Sequence, residues 1–231
     1  MKKLLIILPL VFLSLAAHAQ VESYWRLFPK IGFNLAKFPN DKFYADYSEL
    51  SEYTARYKQG MTGGLEVAYE RGVVMLSAGL MYANRGTKYN DYTYDNVATK
   101  EKVSGMQYSL HYLELPLMTG YEIFEGFRLK AGIQFGYLLK AQFAQSKITY
   151  VKNYFDGTAL VEATLESIDE TDRDATDMFK RFDFSIPVGV SYEFSNVVID
   201  ARYVFGVTKN SDLIEARNGG FTFTVGYGID L

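Results

Sequence analysis

The sequence contains no cysteine, two histidines and one tryptophan among its 231 residues. The lack of cysteine excludes a disulfide scaffold, cysteine-ligated metals, thiol catalysis and a lipid-modified N-terminal cysteine. The formal net charge of −3 provides no basic surface of the kind that binds nucleic acid. Beyond the N-terminus, no apolar run reaches the ~18 residues that mark a membrane-spanning helix. Composition therefore excludes several classes of protein before any motif is considered.

The abundance of aromatic residues and glycine indicates β-structure. The chain has 19 Tyr, 17 Phe and 19 Gly, and 48% of its residues are hydrophobic. Aromatic side chains favour strands, and glycine marks bends or crowded positions in a sheet. The hydrophobic fraction is too high for a disordered chain, and the length suits one domain.

The N-terminus has the three parts of a secretory signal peptide, predicted over residues 1–19. Lys2 and Lys3 supply the positive charge, residues 4–17 the apolar segment, and Ala17-His18-Ala19 the cleavage site. A retained membrane anchor is the alternative, but the apolar segment is shorter than the ~20 residues that a spanning helix needs. The predicted mature domain is therefore 20–231, in an exported protein.

Beyond this segment the hydrophobic pattern has a period of two. From Phe221 to Leu231, apolar side chains alternate with small or polar ones. Such alternation predicts strands with one apolar face. The opposite face carries charges on several segments, which does not fit the apolar interior of a soluble barrel. The strands are predicted at or around 31–33, 65–67, 76–82, 112–123, 127–140, 182–194, 197–206 and 221–231.

The connections between the predicted strands alternate between short and long. Tight turns at 70–72, 125–126 and 195–196 alternate with long polar stretches near 37–57, 88–104, 148–178 and 208–218. This asymmetry is typical of outer-membrane barrels. We therefore predict an all-β fold: an eight-stranded antiparallel up-and-down transmembrane β-barrel with short periplasmic turns and long external loops. A soluble barrel of lipocalin type is the alternative, but its narrow interior would have to hold all the large apolar side chains.

Four segments, in order, resemble the PorT-type outer-membrane β-barrel domain family of Bacteroidota. The resemblance implies an eight-stranded outer-membrane barrel, and most such proteins have no assigned activity. The namesake acts in a secretion pathway. Outer-membrane barrels often end in an aromatic residue, whereas this chain ends in Leu231. The segments are 112–117 (YLELPL), 131–139 (AGIQFGYLL), 182–184 (FDF) with Gly189, and 200–203 (DARY) with 206–208 (GVT).

The polar face of the predicted strands carries nearly balanced charge. Since buried charges must pair, the expected result is a salt-bridged core that closes the lumen. A proton or ion path is the alternative interpretation. For Arg202, the expected partners are Asp183, Glu193 or Asp230. The predicted lumen residues are Lys30, Glu66, Arg85, Glu114, Glu122, Arg128, Lys130, Lys140, Asp183, Glu193, Asp200, Arg202 and Asp230.

Two of the predicted external loops have distinctive compositions. The first holds Phe43, Tyr44, Tyr47 and Tyr53, which we expect either to cap the barrel or to form an interaction surface. The stretch 162–177 is strongly acidic and is expected to be solvated. Calcium binding is its alternative, although the spacing is not that of an EF-hand.

A catalytic reading has little support in the motifs. His111 is the only histidine after the signal peptide, and Ser109 lies on the same face of its strand. No recognisable nucleophile motif accompanies them.

The predicted function is therefore that of a non-enzymatic outer-membrane barrel. Its role would be structural, adhesive or related to assembly or secretion, acting through the external loops. The alternatives are a binder of a small apolar molecule, or a route by which one enters, and a lipid-modifying enzyme. We expect a monomer without cofactor or metal. Its expected partner is outer-membrane lipid, a protein at the external loops is a candidate partner, and nucleic acid is not expected.

Overall fold

The computed structural model describes residues 23–39, 43–44, 52–53, 55–95, 99–155, 159–211 and 216–231. The predicted signal peptide lies outside these residues. No helix in the described part of the chain is long and apolar enough to cross a membrane. The strands are β1 (Ser23–Lys37), β2 (Phe43–Tyr44), β3 (Glu52–Tyr53), β4 (Ala55–Arg56), β5 (Lys58–Arg71), β6 (Val74–Tyr89), β7 (Tyr92–Asp95), β8 (Thr99–Phe124), β9 (Phe127–Phe155), β10 (Ala159–Asp174), β11 (Phe182–Phe194), β12 (Val197–Lys209), β13 (Arg217–Tyr227) and β14 (Ile229–Asp230).

The long strands form an antiparallel, up-and-down sheet whose pairings close on themselves. In chain order β1, β5, β6, β8, β9, β11, β12 and β13 each pair with the next, and β13 pairs with β1. The sheet as a whole contains twelve strands, because β4, β7, β10 and β14 extend it, and β2 and β3 form a separate two-stranded sheet. The predicted count of eight therefore describes the closed cycle and not the whole sheet.

The tight turns at 125–126 and 195–196 lie where they are predicted, whereas the turn predicted at 70–72 lies at 72–73, because Glu70 and Arg71 still pair within β5. At the turn between β11 and β12, Ser195 and Asn196 both have positive φ, 47° and 68°. Positive φ at both central residues is the geometry of a type I′ turn, which matches the twist of paired strands. Gly126, in the turn between β8 and β9, has φ 77°, which glycine adopts without steric cost.

Two of the predicted long loops prove to be mostly strand. The stretch near 88–104 contains β7 and the start of β8, and the stretch near 148–178 contains the end of β9 and the whole of β10. The physical reason is the β-propensity of segments such as 148–151 (ITYV). Their alternation escapes notice because neither face is continuously apolar.

The closed cycle of eight strands forms the wall of the barrel. At the level of His111 the polarity of its inner and outer faces is exchanged. Below this level on β8, Leu113 and Leu115 face outwards and Glu114 inwards. Above it the inward side chains are Leu110 and Tyr108, both fully buried, while half-exposed polar side chains face outwards. An apolar outer face is stable against hydrocarbon, and a polar one against water. The exchange therefore marks the height at which the apolar belt ends.

An apolar cluster fills the upper end of the barrel. Between β10 and β11 the chain leaves the wall, forms a short 3₁₀-helix (Thr176–Met178) and places Phe179 in the interior. The Phe179 ring lies 5.4 Å from that of Tyr108 and 6.1 Å from that of Phe38, between ring centroids. The buried members of this upper cluster are Phe38, Tyr89, Met106, Tyr108, Leu110, Tyr112, Leu138, Ala141, Phe143, Ala175, Phe179 and Ala216.

We predict that Phe179→Ala destabilises the barrel by about 3–5 kcal/mol, the usual cost of truncating a buried aromatic side chain. The control is Phe194→Ala, since Phe194 is 71% exposed, compared with 6% for Phe179. Urea unfolding of the refolded protein in detergent, followed by the fluorescence of the single tryptophan, measures both variants. Equal shifts of the midpoint would contradict the existence of the upper cluster.

Candidate functional site

The middle of the lumen holds a compact cluster of buried ions, the middle cluster. Asp200 Oδ2 lies 2.8 Å from Lys130 Nζ and 3.7 Å from Lys30 Nζ, and Asp200 Oδ1 lies 2.8 Å from Arg202 Nε. Glu66 is contacted by the same cations, at 2.9 Å from Lys30, 3.1 Å from Lys130 and 3.7 Å from Arg202. All five residues are buried. Three cations thus share two carboxylates in a site shielded from water.

A second ion cluster, the lower cluster, closes the end of the lumen near the short turns. Arg128 contacts Glu70 at 2.8 Å, Glu193 at 3.0 Å and Glu122 at 3.1 Å. Arg26 contacts Glu193 at 2.6 Å and Glu70 at 3.6 Å. Carboxylates are in excess here, and the more exposed ones lie towards the rim, where water solvates them.

A small apolar cluster around Phe28 separates these two ion clusters, and the aromatic ring of Phe28 contacts a cation of each. Phe28 is buried with Ala68, Met75 and Val198. Its ring centroid lies 4.9 Å from Arg26 Cζ, in the lower cluster, and 5.6 Å from Lys30 Nζ, in the middle cluster. A cation near an aromatic face is attracted by the ring quadrupole, so Phe28 supports both layers.

Above the middle cluster, polar pairs lead up to the apolar cap. Arg85 and Glu114 form a buried bidentate ion pair, with Nη2 donating to Oε2 at 3.0 Å. Asp183 accepts a hydrogen bond from Thr208 at 3.3 Å. Asn218 donates to Tyr112 Oη at 3.1 Å and thereby joins the polar lumen to the upper cluster.

Two small voids lie in the lumen between the described residues. One void of about 10 Å³ lies between Phe28, Lys30 and Arg128, and another of about 10 Å³ lies between Arg85, Arg202 and nearby residues. Each is large enough for about one water molecule. Ion pairs and packed side chains of the described residues surround these voids.

Most of the predicted lumen residues converge in these layers, but Lys140 does not. His111 pairs with Lys140 and Tyr112 with Leu138, so Leu139 is an extra residue on β9. This β-bulge shifts the alternation by one residue. Leu138 is consequently buried, whereas Lys140 is exposed on the outer side. The prediction that Lys140 faces the lumen is wrong.

Asp230 and the expected partners of Arg202 also differ from the prediction. The Asp230 side chain is 74% exposed at the rim, where it contacts Arg26 at 3.0 Å. Arg202 is paired with Asp200 on its own strand and with Glu66 from β5, and not with Asp183, Glu193 or Asp230. Glu66 reaches Arg202 across the narrow lumen, which strand order alone does not reveal.

Two principal members of the lower cluster were missed from the sequence. Arg26 and Glu70 are both buried, and each makes several ion pairs. Both residues continue the period of two in their strands. Arg26, Phe28 and Lys30 share one face of β1, and Glu66, Ala68 and Glu70 share one face of β5. Continuing each pattern to the end of its strand would have identified them.

A separate cavity of about 680 Å³ opens at the upper end of the wall. On β8, the residues paired with β7 end at Val103 and those paired with β6 begin at Gln107. The cavity lies beside the unpaired residues between them, where the register between β8 and β9 also shifts. Gly105 has φ 65° there, a conformation that favours glycine. Arg56, Lys88 and Asp91 provide charges at the edge, and the buried Tyr89 and Met106 contribute apolar surface.

The aromatic loop residues are described only through their backbone. Phe43 pairs with Tyr53, and Tyr44 with Glu52, in the hairpin of β2 and β3. Tyr47 lies outside the described residues.

The acidic stretch becomes the outer strand β10. Asp169, Glu170 and Asp172 are exposed there, and the described residues include no cluster of three or more potential metal ligands. Hydrogen bonds from Thr176, including one from its backbone N–H at 2.7 Å, hold the pKa of Asp174 below its usual range.

His111 has a tyrosine for a partner. Its Nδ1 lies 2.6 Å from the Tyr82 hydroxyl on the outer side of the wall. Ser109 pairs with Gly86 and Gln142 through its backbone. No hydrogen bond from His111 to a carboxylate is found in the described part of the chain.

A family model described as an outer membrane protein beta-barrel domain matches residues 18–212. Among solved structures, the chain is similar to Neisserial surface protein A, with 10% identity, 89% of this chain and 98% of that chain covered, and a TM-score of 0.42. It is also similar to Ail, the attachment invasion locus protein of Yersinia pestis, with 14% identity, coverage of 89% and 99%, and a TM-score of 0.42. No curated protein sequence matches the chain significantly.

We predict that Asp200→Asn costs about 3–5 kcal/mol of stability, because it leaves three buried cations with a single carboxylate. Arg202→Met should cost less, because two cations then face two carboxylates. Asp172→Asn, on the exposed outer strand, is the matched control and should shift the urea midpoint very little. The prediction fails if Arg202→Met is the most destabilising of the three.

Proposed function

This chain belongs to the outer membrane protein β-barrel domain family, and on that premise we propose that it is a closed, non-enzymatic barrel that acts through the part of its wall outside the bilayer. Its role would be structural, adhesive or associated with assembly or secretion. The family places the protein in the outer membrane.

The filled lumen is the observation that carries this proposal. Two ion clusters, a bidentate ion pair and an apolar cluster succeed one another along the axis. An unpaired buried charge costs several kcal/mol, so opening a passage would require several of these layers to break together. A barrel filled in this way favours a role on its outer surfaces over transport through its interior.

The height of the wall supports the same conclusion. β8 has 26 residues and β9 has 29, whereas a tilted strand crosses a bilayer with ~9–11 residues. The remaining length of these strands carries β7 and β10 beyond the apolar belt. β10 pairs with β9 alone among the described strands, so its other edge has backbone groups available to a partner.

Several finer assignments belong to the proposal. We infer a cleaved signal peptide over residues 1–19, a membrane-spanning unit formed by the cycle of eight strands, and a monomer. We also infer a PorT-type member of the family, from the four segments described above. In one of these, 112–117, Tyr112 lies in the apolar cluster and Glu114 pairs with Arg85, so the segment joins the polar and apolar parts of the interior.

A small-ligand binder is the second candidate, and the cavity beside Gly105 favours it. A volume of about 680 Å³ is within the range of sites that hold small molecules. The cavity borders the apolar cluster through Tyr89 and Met106, so a ligand bound there would contact both charged and apolar groups.

Because the chain contains no cysteine, single cysteine variants test the orientation directly. Asp172→Cys on β10 should react with a membrane-impermeant maleimide on intact cells. Glu125→Cys, in the exposed turn between β8 and β9, should react only after the outer membrane is permeabilised. The reverse pattern of labelling would contradict a role for the extended sheet outside the cell.

Planar-bilayer recording tests closure. The refolded protein should show no large steady conductance, since ion pairs and packed side chains occupy the described layers of a narrow lumen. A stable channel of nanosiemens scale would contradict the closed barrel and favour an ion path through the charged clusters.

A further inference from the structure

The bulge on β9 brings Lys140 to the outer surface at a particular height. Lys140 pairs with His111, at the level where the outer face changes from apolar to polar. The exposed side chains just below are Leu113, Tyr137 and Leu139. Lys140 therefore lies at the upper edge of the apolar belt, where the headgroups of the outer leaflet meet the wall.

Arg181 is held at the same height by the same bulge. Its Nη1 donates to the carbonyls of both Leu138 and Leu139, at 3.2 Å each. The Leu138 N–H in turn donates to the Arg181 carbonyl at 2.7 Å. These contacts fix the guanidinium beside the bulge, while its Nε and Nη2 groups have no hydrogen-bond partner among the described residues. Arg181 thus presents a pre-ordered pair of donors.

Among the described residues, the exposed carboxylate of Asp174 acts electrostatically on both cations but forms an ion pair with neither. No ion pair of Lys140 or Arg181 is found in the described part of the chain. Asp174, in the adjoining segment, is engaged by the Thr176 N–H at 2.7 Å. The Tyr82–His111 pair, with its 2.6 Å contact, is a further polar group at the height of Lys140. Two cations therefore lie at the membrane boundary with one carboxylate near them, which leaves a net positive charge at this place.

We propose that Lys140 and Arg181 bind the phosphate group of an outer-leaflet lipid, with the Tyr82–His111 pair bordering the site. The inference rests on the proposed function, since it requires the barrel to lie in the outer membrane. A guanidinium and an ammonium are the side chains that recognise phosphate through charge-assisted hydrogen bonds.

The surroundings favour a lipid over a free phosphate ion. Directly below the two cations lies a surface formed by Tyr137, Leu139 and Phe182, and the Tyr137 and Phe182 rings meet at 5.2 Å between centroids. This surface is apolar and exposed, so it suits acyl chains. One lipid molecule would satisfy both features, with its phosphate on the cations and its chains on the belt.

The test measures lipid binding to the intact protein in a neutral detergent by native mass spectrometry, with diphosphorylated lipid A as the probe. Lys140→Glu should weaken binding about tenfold or more, which is the loss expected for replacing a charge-assisted contact by repulsion. Arg181→Gln should weaken it in the same direction. Lys102→Glu is the matched control, since Lys102 is also an exposed lysine of the wall but lies farther up β8, away from Lys140 and Arg181, and it should leave the affinity unchanged.

Three results would overturn the proposal. They are unchanged binding by Lys140→Glu, an equal loss in Lys102→Glu, and displacement of the lipid by inorganic phosphate at similar concentration, which would indicate a site for the free ion. Heat-modifiable migration of each variant in gels shows separately that the barrel is folded. Failure of the lipid site is therefore distinguishable from failure of the barrel proposal, which the cysteine labelling tests on its own.

Discussion

A strand inside a hydrocarbon layer has no water with which to pair its backbone, so every N–H and C=O must find a partner in the sheet. In this protein the pairing of β13 with β1 removes the last open edges of the cycle. Closure at this strand number leaves an interior just wide enough for side chains. Since the outer face must then be apolar, the polar residues are confined to the interior. The ion clusters are thus a consequence of closure, and their mutual pairing keeps their burial tolerable.

The interior changes from polar to apolar along the barrel axis because the surroundings of the wall change. Within the apolar belt, the lumen holds ions such as Lys130 and Asp200, and the exterior holds leucines. Above the belt, Tyr108 and Leu110 fill the interior, as in a soluble protein. The same strands therefore follow two patterns, one suited to lipid and one to water. The segment that carries Phe179 closes the upper part, where an apolar core is favourable because water lies outside.

The sequence pattern predicted the strands of the cycle and the tight turns because alternation and turn chemistry are local properties. It assigned the wrong face to Lys140 because a one-residue bulge reverses the alternation and leaves no clear mark in the residues themselves. The pairing of Arg202 with Glu66 depends on contacts across the lumen, which no single strand encodes. The upper strands were interpreted as loops because neither of their faces is continuously apolar. Arg26 and Glu70, by contrast, lay within reach of the pattern, since each continues the alternation of its own strand.

The closing pair of strands also has a kinetic consequence. Leu35 meets Phe221, so the final contacts join residues from nearly opposite ends of the domain. The entropy lost in closing so long a loop is not offset until the pairing forms, and folds dominated by such distant contacts form slowly. Until then β1 and β13 each have a free edge, on which another chain could assemble instead. The yield of correctly formed protein should therefore depend on how well these two edges are shielded during assembly, more than on the stability of the finished barrel.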